Sequence, residues 1–211
     1  MLNIAVLVSG GGTNLQALID AQQNGKITGG KIALVVSSNA KAYALERAAK
    51  AGIPSEVLRR KAFASQKEYD DALLSLLDRH HIALVVLAGF LTIISENVVF
   101  HFPNRIMNVH PSLIPSFCGE GYYGLRVHEE ALKRGVRVTG ATVHFVNEIC
   151  DGGPIILQKA VEVMPGDTPQ TLQRRVMEQA EWELLPRAVS LFCESRLTVE
   201  NGRVTIREAS N

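Results

Sequence analysis

The sequence predicts a doubly wound α/β fold, a mostly parallel β-sheet with helices on both faces and a C-terminal β-hairpin. Three observations carry this. Short runs at residues 4–9, 32–37 and 82–87 are apolar on both faces and rich in β-branched residues, as strands buried between two helical layers must be. Helical patterns over 13–24, 43–51 and 65–79 alternate with them, the signature of strand–helix–strand units. Near the end, Asn201-Gly202 separates the strand-like runs 196–200 and 203–207, which marks a two-residue hairpin turn.

The helix boundaries follow from local chemistry. Thr13-x-x-Gln16 and Ser65-x-x-Glu68 have the pattern of capping boxes, and Gly52 closes the second helix. Residues 106–110 form a strand that ends in a polar cluster. The next fourteen, 111–124, hold two prolines and three glycines, a loop length that is uncommon without a function. Residues 138–146 alternate apolar and polar as a strand does, and 155–163 follow as another. Residues 168–192 are a long helical stretch that Pro186 is expected to interrupt.

The composition narrows the function. Hydrophobic residues at 46% and charged residues at 20% suit one ordinary globular domain of 211 residues. A net charge of +1, with no basic block, leaves no electrostatic footprint for nucleic acid. No apolar run approaches the roughly 20 residues of a membrane span, and the apolar start lacks a basic flank and a cleavage site. Cys118, Cys150 and Cys193 have no CxxC spacing, which argues for a reducing compartment and against a disulfide framework or a zinc site. The expectation is a cytoplasmic protein of small-molecule substrates, with neither nucleic acid nor membrane as partner.

Two places carry chemistry. Ser9-Gly10-Gly11-Gly12-Thr13-Asn14 joins the first strand to the first helix, where close backbone approach and exposed amides favour an anion. It reads as a phosphate or phosphoribosyl site, or as a tight turn that binds nothing. Leu15 stands at the third glycine position of a dinucleotide fingerprint, no acidic residue follows the second strand, and no Gly-Lys-Ser/Thr follows the loop. A mononucleotide phosphate fits better than NAD.

The second place is Asn108-Val109-His110-Pro111. Strand alternation puts Asn108 and His110 on one side of a strand's carboxyl end, and Pro111 stops the strand there. An amide and an imidazole side by side can both donate to one developing oxyanion. Asp151, ahead of Gly152-Gly153-Pro154, adds a carboxylate, which near His110 would favour the protonated ring. Taken singly, His110 is equally a structural histidine and Asp-Gly-Gly-Pro an ordinary turn.

Together these stretches resemble the folate-dependent phosphoribosylglycinamide formyltransferase family over nearly the whole chain. The resemblance rests on Val8-Ser9-Gly10 with Gly12-Thr13-Asn14, Leu87-Ala88-Gly89-Phe90, Asn108-Val109-His110-Pro111-Ser112-Leu113, Thr142-Val143-His144-Phe145-Val146, Asp151-Gly152-Gly153-Pro154-Ile155 and Gly166-Asp167-Thr168. It implies a Rossmann-like formyltransferase fold in one domain, 1–211. Within it, 1–105 would be a phosphoribosyl-binding half, 106–192 a catalytic and folate-binding half, and 193–211 the hairpin.

It further implies that Asn108, His110 and Asp151 are catalytic, with Thr142 and His144 supporting them. Gly12, Thr13 and Asn14 would hold the phosphate of glycinamide ribonucleotide, and Glu181 its ribose. Leu91, Thr92, Ile93, Ile94, Ile149 and Cys150 would line the pterin pocket, with Asp151 at its end. The co-substrate would be 10-formyltetrahydrofolate, without a metal or a covalent enzyme intermediate, in a monomer or homodimer.

The sequence departs from the family pattern at several points. Thr92 and Gln66 stand where some members have arginines, residues 116–125 are longer than in some relatives, Trp182 replaces a frequent histidine, and one additional residue precedes Glu181. Formyltetrahydrofolate hydrolase, which carries an added N-terminal domain, and methionyl-tRNA formyltransferase, which carries a C-terminal RNA-binding domain, match the chain's start and end less well. The other readings are a non-catalytic phosphoribosyl-binding module, a zinc hydrolase on His110, His144 and Asp151, and a thiol enzyme on Cys118 or Cys150.

Overall fold

The computed structural model describes residues 1–208, so the last three residues of the expected 193–211 segment lie outside it. The chain divides into two compact units between Met107 and Asn108. The first holds β1 (Leu2–Val8), α1 (Thr13–Gln23), β2 (Gly30–Ser37), α2 (Tyr43–Lys50), β3 (Ser55–Val57), α3 (Gln66–Arg79), β4 (Ile82–Leu87) and α4 (Glu96–His101). It also holds the start of β5 (Ile106–His110), whose end opens the second unit. There follow α5 (Leu125–Arg134), β6 (Val138–Phe145), β7 (Ile155–Glu162), α6 (Pro169–Val176), α7 (Trp182–Cys193), β8 (Leu197–Glu200) and β9 (Arg203–Ile206).

The main sheet has the order β3-β2-β1-β4-β5-β6-β7. β1 pairs parallel with β2 on one side and with β4 on the other, and β2 pairs parallel with β3; β6 and β7 are antiparallel. The strand order reverses between β1 and β4, so the carboxyl ends of these two strands flank a topological switch point, where open sheets of this kind take their ligands. Burial explains the missing polar alternation. Ile4, Ala5, Val6, Leu7 and Val8 are all fully buried, as are Leu34, Val35 and Val36 of β2.

Local chemistry sets most of the helix ends. Ser65 caps α3, its Oγ accepting the Glu68 amide at 3.1 Å, and Gly52 follows α2 with φ +68°. The capping box expected at Thr13 does not form. Gly12 is the N-cap, in the left-handed region (φ 71°, ψ 34°), with no side-chain cap; its carbonyl takes the first helical bond, from the Gln16 amide at 2.9 Å. Thr13 is therefore already inside the helix.

The interruption expected at Pro186 also lies elsewhere. Pro186 sits inside α7, and the irregular winding is a π turn over Met177–Glu181 between α6 and α7. A proline withholds its N–H and crowds the carbonyl four residues back, here that of Trp182, so the winding loosens in the turn upstream.

The hairpin forms as expected. Glu200 pairs with Arg203, and Asn201 (φ 49°) and Gly202 (φ 73°) both adopt the positive φ of the tight primed turn. Among the described residues no helix is long and apolar enough to cross a membrane.

Candidate active site

β5 and β6 are neighbours, and each delivers side chains to one polar cluster in the second unit. Asn108 is half-buried, while His110 and His144 are 4% and 1% exposed. Asp151 arrives from the turn between β6 and β7. That turn is held by Asn147 Oδ1 accepting from the Ile149 amide (3.1 Å) and by the Gly152 amide donating to Ile149 O (2.9 Å). Asp151 itself has φ +54°. A Cβ on Gly153 would fall 1.8 Å from the Phe145 carbonyl oxygen, and one on Gly152 2.5 Å from Ile149 Cγ2. Two glycines are needed for the turn to fold back onto the end of β6.

Asn108 Nδ2 lies 3.2 Å from His144 Nε2 and donates to Asp151 Oδ1 at 3.4 Å. His144 Nδ1 is 2.8 Å from the Phe145 carbonyl, which can only accept, so Nδ1 carries the hydrogen and Nε2 receives the Asn108 amide. His110 Nε2 faces the Phe117 carbonyl at 2.9 Å, and its Nδ1 lies 3.5 Å from Asp151 Oδ2. The Gly119 amide donates to that same Oδ2 at 2.9 Å, and His144 Nε2 is 3.6 Å from Oδ1. Asn108, His110, His144 and Asp151 thus form one connected group.

The electrostatics correct one expectation. Burial pushes the His110 imidazole below its ordinary value, and the Asp151 carboxylate and Phe117 carbonyl, which pull it up, do not overcome this. His110 therefore rests neutral, where the sequence pointed to a protonated ring. For Asp151 the balance runs the other way. Burial pushes it up, but its contacts with His110 and the Gly119 amide hold it below the ordinary carboxylate value. The pair at rest is a neutral imidazole beside a carboxylate: Nε2 donates to Phe117 O at 2.9 Å, and Nδ1 stands 3.5 Å from Asp151 Oδ2, too far for a good hydrogen bond.

Residues 111–124 form the loop the sequence predicted, running from the end of β5 to α5. The loop supplies two of the contacts above, Phe117 O and Gly119 N, which no sequence motif announced. Its first turn is held by Thr142, whose Oγ1 donates to Ser112 O (2.7 Å) and accepts from the Ile114 amide (3.1 Å). Gln158 Nε2 donates to Ile114 O and to Thr142 Oγ1, each at 3.0 Å. Thr142 thus reaches the cluster through this loop, whereas His144 touches it directly. Gln158, on the edge strand β7, was not apparent from the sequence. Beside the loop, His128 of α5 is fully buried with neither ring nitrogen hydrogen-bonded, and burial, reinforced by His110, lowers it to about 4.

The remaining predicted residues are distributed between the units. Gly12, Thr13 and Asn14 open α1 in the first unit, at the switch point. There the Leu91 amide donates to Ser9 Oγ (2.9 Å), which also bonds Ser38 Oγ (2.7 Å), tying residues 91–94 to the start of the glycine loop. Leu91 and Ile93 expose 64% and 80% of their surface, Thr92 and Ile94 less. Ile149 (61% exposed), exposed Cys150 and buried Glu181, the last residue of the π turn, belong to the second unit.

Among the described residues no group of three or more His, Cys, Asp or Glu side chains is arranged to hold a metal ion. Burial and Asp151 both raise the Cys118 and Cys150 thiols, which disfavours thiolate chemistry at either.

Residues 2–189 match the formyl transferase family. The phosphoribosylglycinamide formyltransferase of Escherichia coli K12 is 43% identical over 93% of this chain and 89% of its own length. A domain of the human trifunctional purine biosynthetic protein adenosine-3 is 43% identical over 95% of this chain, a match covering 19% of that longer protein. The crystal structure of glycinamide ribonucleotide transformylase 1 from Symbiobacterium toebii superposes with a TM-score of 0.92 at 44% identity, covering 99% of this chain and 95% of that one. On this agreement of sequence and fold, the chain belongs to the phosphoribosylglycinamide formyltransferase family of folate-dependent enzymes.

Proposed function

We propose that this chain transfers the formyl group of 10-formyltetrahydrofolate to the amine of glycinamide ribonucleotide in purine biosynthesis, with Asn108, His110 and Asp151 as the catalytic residues. The observation that carries the reading is the connected group of Asn108, His110, His144 and Asp151, two neutral donors and one ionised carboxylate in a buried setting.

The neutral glycyl amine attacks the formyl carbon, and the formyl oxygen gains negative charge. Asn108 Nδ2, giving up its long 3.4 Å bond to Asp151 Oδ1, and the Nε2–H of His110 are the donors for that oxygen, each worth about 3–4 kcal/mol in a preorganised site. At rest the His110 donor is occupied by Phe117 O, so the formyl oxygen takes over the place of that carbonyl. Charge growing beside His110 opposes the effect of burial and raises the ring's proton affinity. Asp151, held below its ordinary value, is a weak base and keeps the amine proton only in transit to the departing carrier nitrogen.

The binding roles divide along the chain. Gly12, Thr13 and Asn14 receive the phosphate, supported by the loop's place at a helix start and switch point; Glu181 receives the ribose. For the pterin, the residues assigned are Leu91, Thr92, Ile93 and Ile94 in the first unit and Ile149 and Cys150 in the second; the exposure of Leu91 and Ile93 supports the former, and that of Ile149 the latter. Residues 1–105 serve as the phosphoribosyl-binding half, 106–192 as the catalytic and folate half, and 193–211 as an appended hairpin. The protein works in the cytoplasm as a monomer or homodimer.

Purified, chelator-treated protein formylates glycinamide ribonucleotide on this reading, and His110→Ala or Asp151→Ala nearly abolishes turnover while the chain stays folded. Hydrolysis of formylfolate regardless of nucleotide would instead identify a formyltetrahydrofolate hydrolase.

A further inference from the structure

The glycine loop is held from behind by α2. The Ala44 amide donates to Gly10 O (3.1 Å) and Arg47 Nε donates to Gly11 O (2.8 Å), while Gly12 O takes the Gln16 amide (2.9 Å). All three glycine carbonyls are therefore engaged. In a trans peptide the N–H points opposite to the preceding C=O, so turning the carbonyls of Gly10 and Gly11 toward α2 turns the amides of Gly11 and Gly12 away from it. Convergent amides of this kind make an anion-binding concavity.

Arg47 is itself immobilised. Its Nη1 donates to Gln16 Oε1 (2.9 Å), and its Cζ stands 5.0 Å from the centre of the Tyr43 ring. The approach of α2 is close enough that a Cβ on Gly12 would meet Ala44 Cβ at 2.6 Å. A planar guanidinium can stack on Tyr43 and still direct Nε at one carbonyl and Nη1 at a second acceptor. A lysine ammonium, a point donor on a flexible stem, cannot do both.

We propose that Arg47 is a positioning residue for the phosphate of the ribonucleotide: by holding the Gly11 carbonyl it aims the Gly12 amide at the anion. This rests on the reading of the glycine loop as the phosphate site. The role is geometric, so charge alone does not replace it.

The test compares wild type with Arg47→Lys, Arg47→Gln and Gln16→Met in steady-state formyl transfer, with inorganic phosphate as competitor. Arg47→Lys and Arg47→Gln each raise KM for the ribonucleotide, and Ki for phosphate in parallel, by roughly tenfold, the worth of one hydrogen bond to a charged group. kcat at saturation falls less than threefold, and KM for formylfolate stays put. Gln16→Met, which loosens the guanidinium without altering α2, gives a smaller rise in the same two constants. Full rescue by lysine, or unchanged constants in Arg47→Gln, overturns the positioning role and leaves the phosphate site standing. If phosphate does not compete with ribonucleotide on the wild type, the phosphate reading fails, and the role of Arg47 with it.

Discussion

The 3.2 Å contact between Asn108 Nδ2 and His144 Nε2 has its direction set by a third group, the Phe145 carbonyl, which holds the hydrogen of His144 on Nδ1. His144 is thereby an acceptor on the side facing Asn108, and the amide nitrogen of Asn108 is fixed toward the cluster. Replacing His144 leaves only the long 3.4 Å bond to Asp151 Oδ1 to orient the Asn108 amide, which can then turn its oxygen toward, and repel, a developing oxyanion. His144→Ala is expected to lower kcat by up to roughly a hundredfold to a thousandfold, the scale of one lost donor, with KM for the ribonucleotide little changed. A KM effect with kcat intact would contradict this.

The pair of His110 and Asp151 predicts a pH dependence. With His110 below its ordinary value, it protonates only below about pH 6.5. Asp151→Asn removes a carboxylate that pulls His110 up, so the ring's midpoint moves further to acid as turnover drops. Proton NMR of the His110 ring in wild type and variant reads both midpoints. A wild-type midpoint above 6.5 would show that the carboxylate outweighs burial.

His128 predicts acid sensitivity of the fold. Its folded value of about 4 lies below the unfolded value near 6.5, so the unfolded chain binds more protons in between. Stability therefore declines as pH falls from 6.5 to 4, by up to about 3 kcal/mol from this group alone. His128→Leu is expected to flatten that part of the stability curve in urea titrations. A curve of unchanged slope would mean that His128 finds a partner when charged.

The two glycines after Asp151 should differ. The added methyl of Gly153→Ala meets backbone, the Phe145 carbonyl, and is expected to cost roughly 3 kcal/mol or more. That of Gly152→Ala meets Ile149 Cγ2 and Cβ, at 2.5 and 2.7 Å, in an exposed turn that can shift where the β6 backbone cannot, so the cost is smaller. Thermal melts of the two variants give the order, and an inverted order would refute the steric account.

Thr142→Val removes both the donor to Ser112 O and the acceptor for the Ile114 amide, at an expected cost of about 1–3 kcal/mol. Because that turn leads to Phe117 and Gly119, turnover should fall together with hydrogen-exchange protection of residues 112–119. Activity lost without any change in protection would detach Thr142 from the loop.

Much of the architecture was legible in residue order. Unbroken apolar runs such as Ile4 to Val8 mark strands covered on both faces, and Ser65, Gly52 and Asn201-Gly202 act through bonds to their own neighbours in sequence. Asn108 and His110 share a face for the equally local reason of strand alternation. Three exposed residues of β3 carry no such signal, and the cap at α1 was misassigned because a left-handed glycine can do without a side-chain cap.

The sequence by itself therefore determined the sheet, its helices and the residue types of the cluster, all of which depend on short-range periodicity and chemistry. Tertiary structure decided what those residues do at rest. Asp151, 41 positions beyond His110, comes within 3.5 Å of it only because β6 and β7 bring their connecting turn back over β5. Whether His110 is charged depends on how much water the surrounding chain excludes, and here burial outweighs the carboxylate. The same holds for Arg47, an ordinary helix residue in sequence, which meets the glycine loop only through the packing of α2 against it.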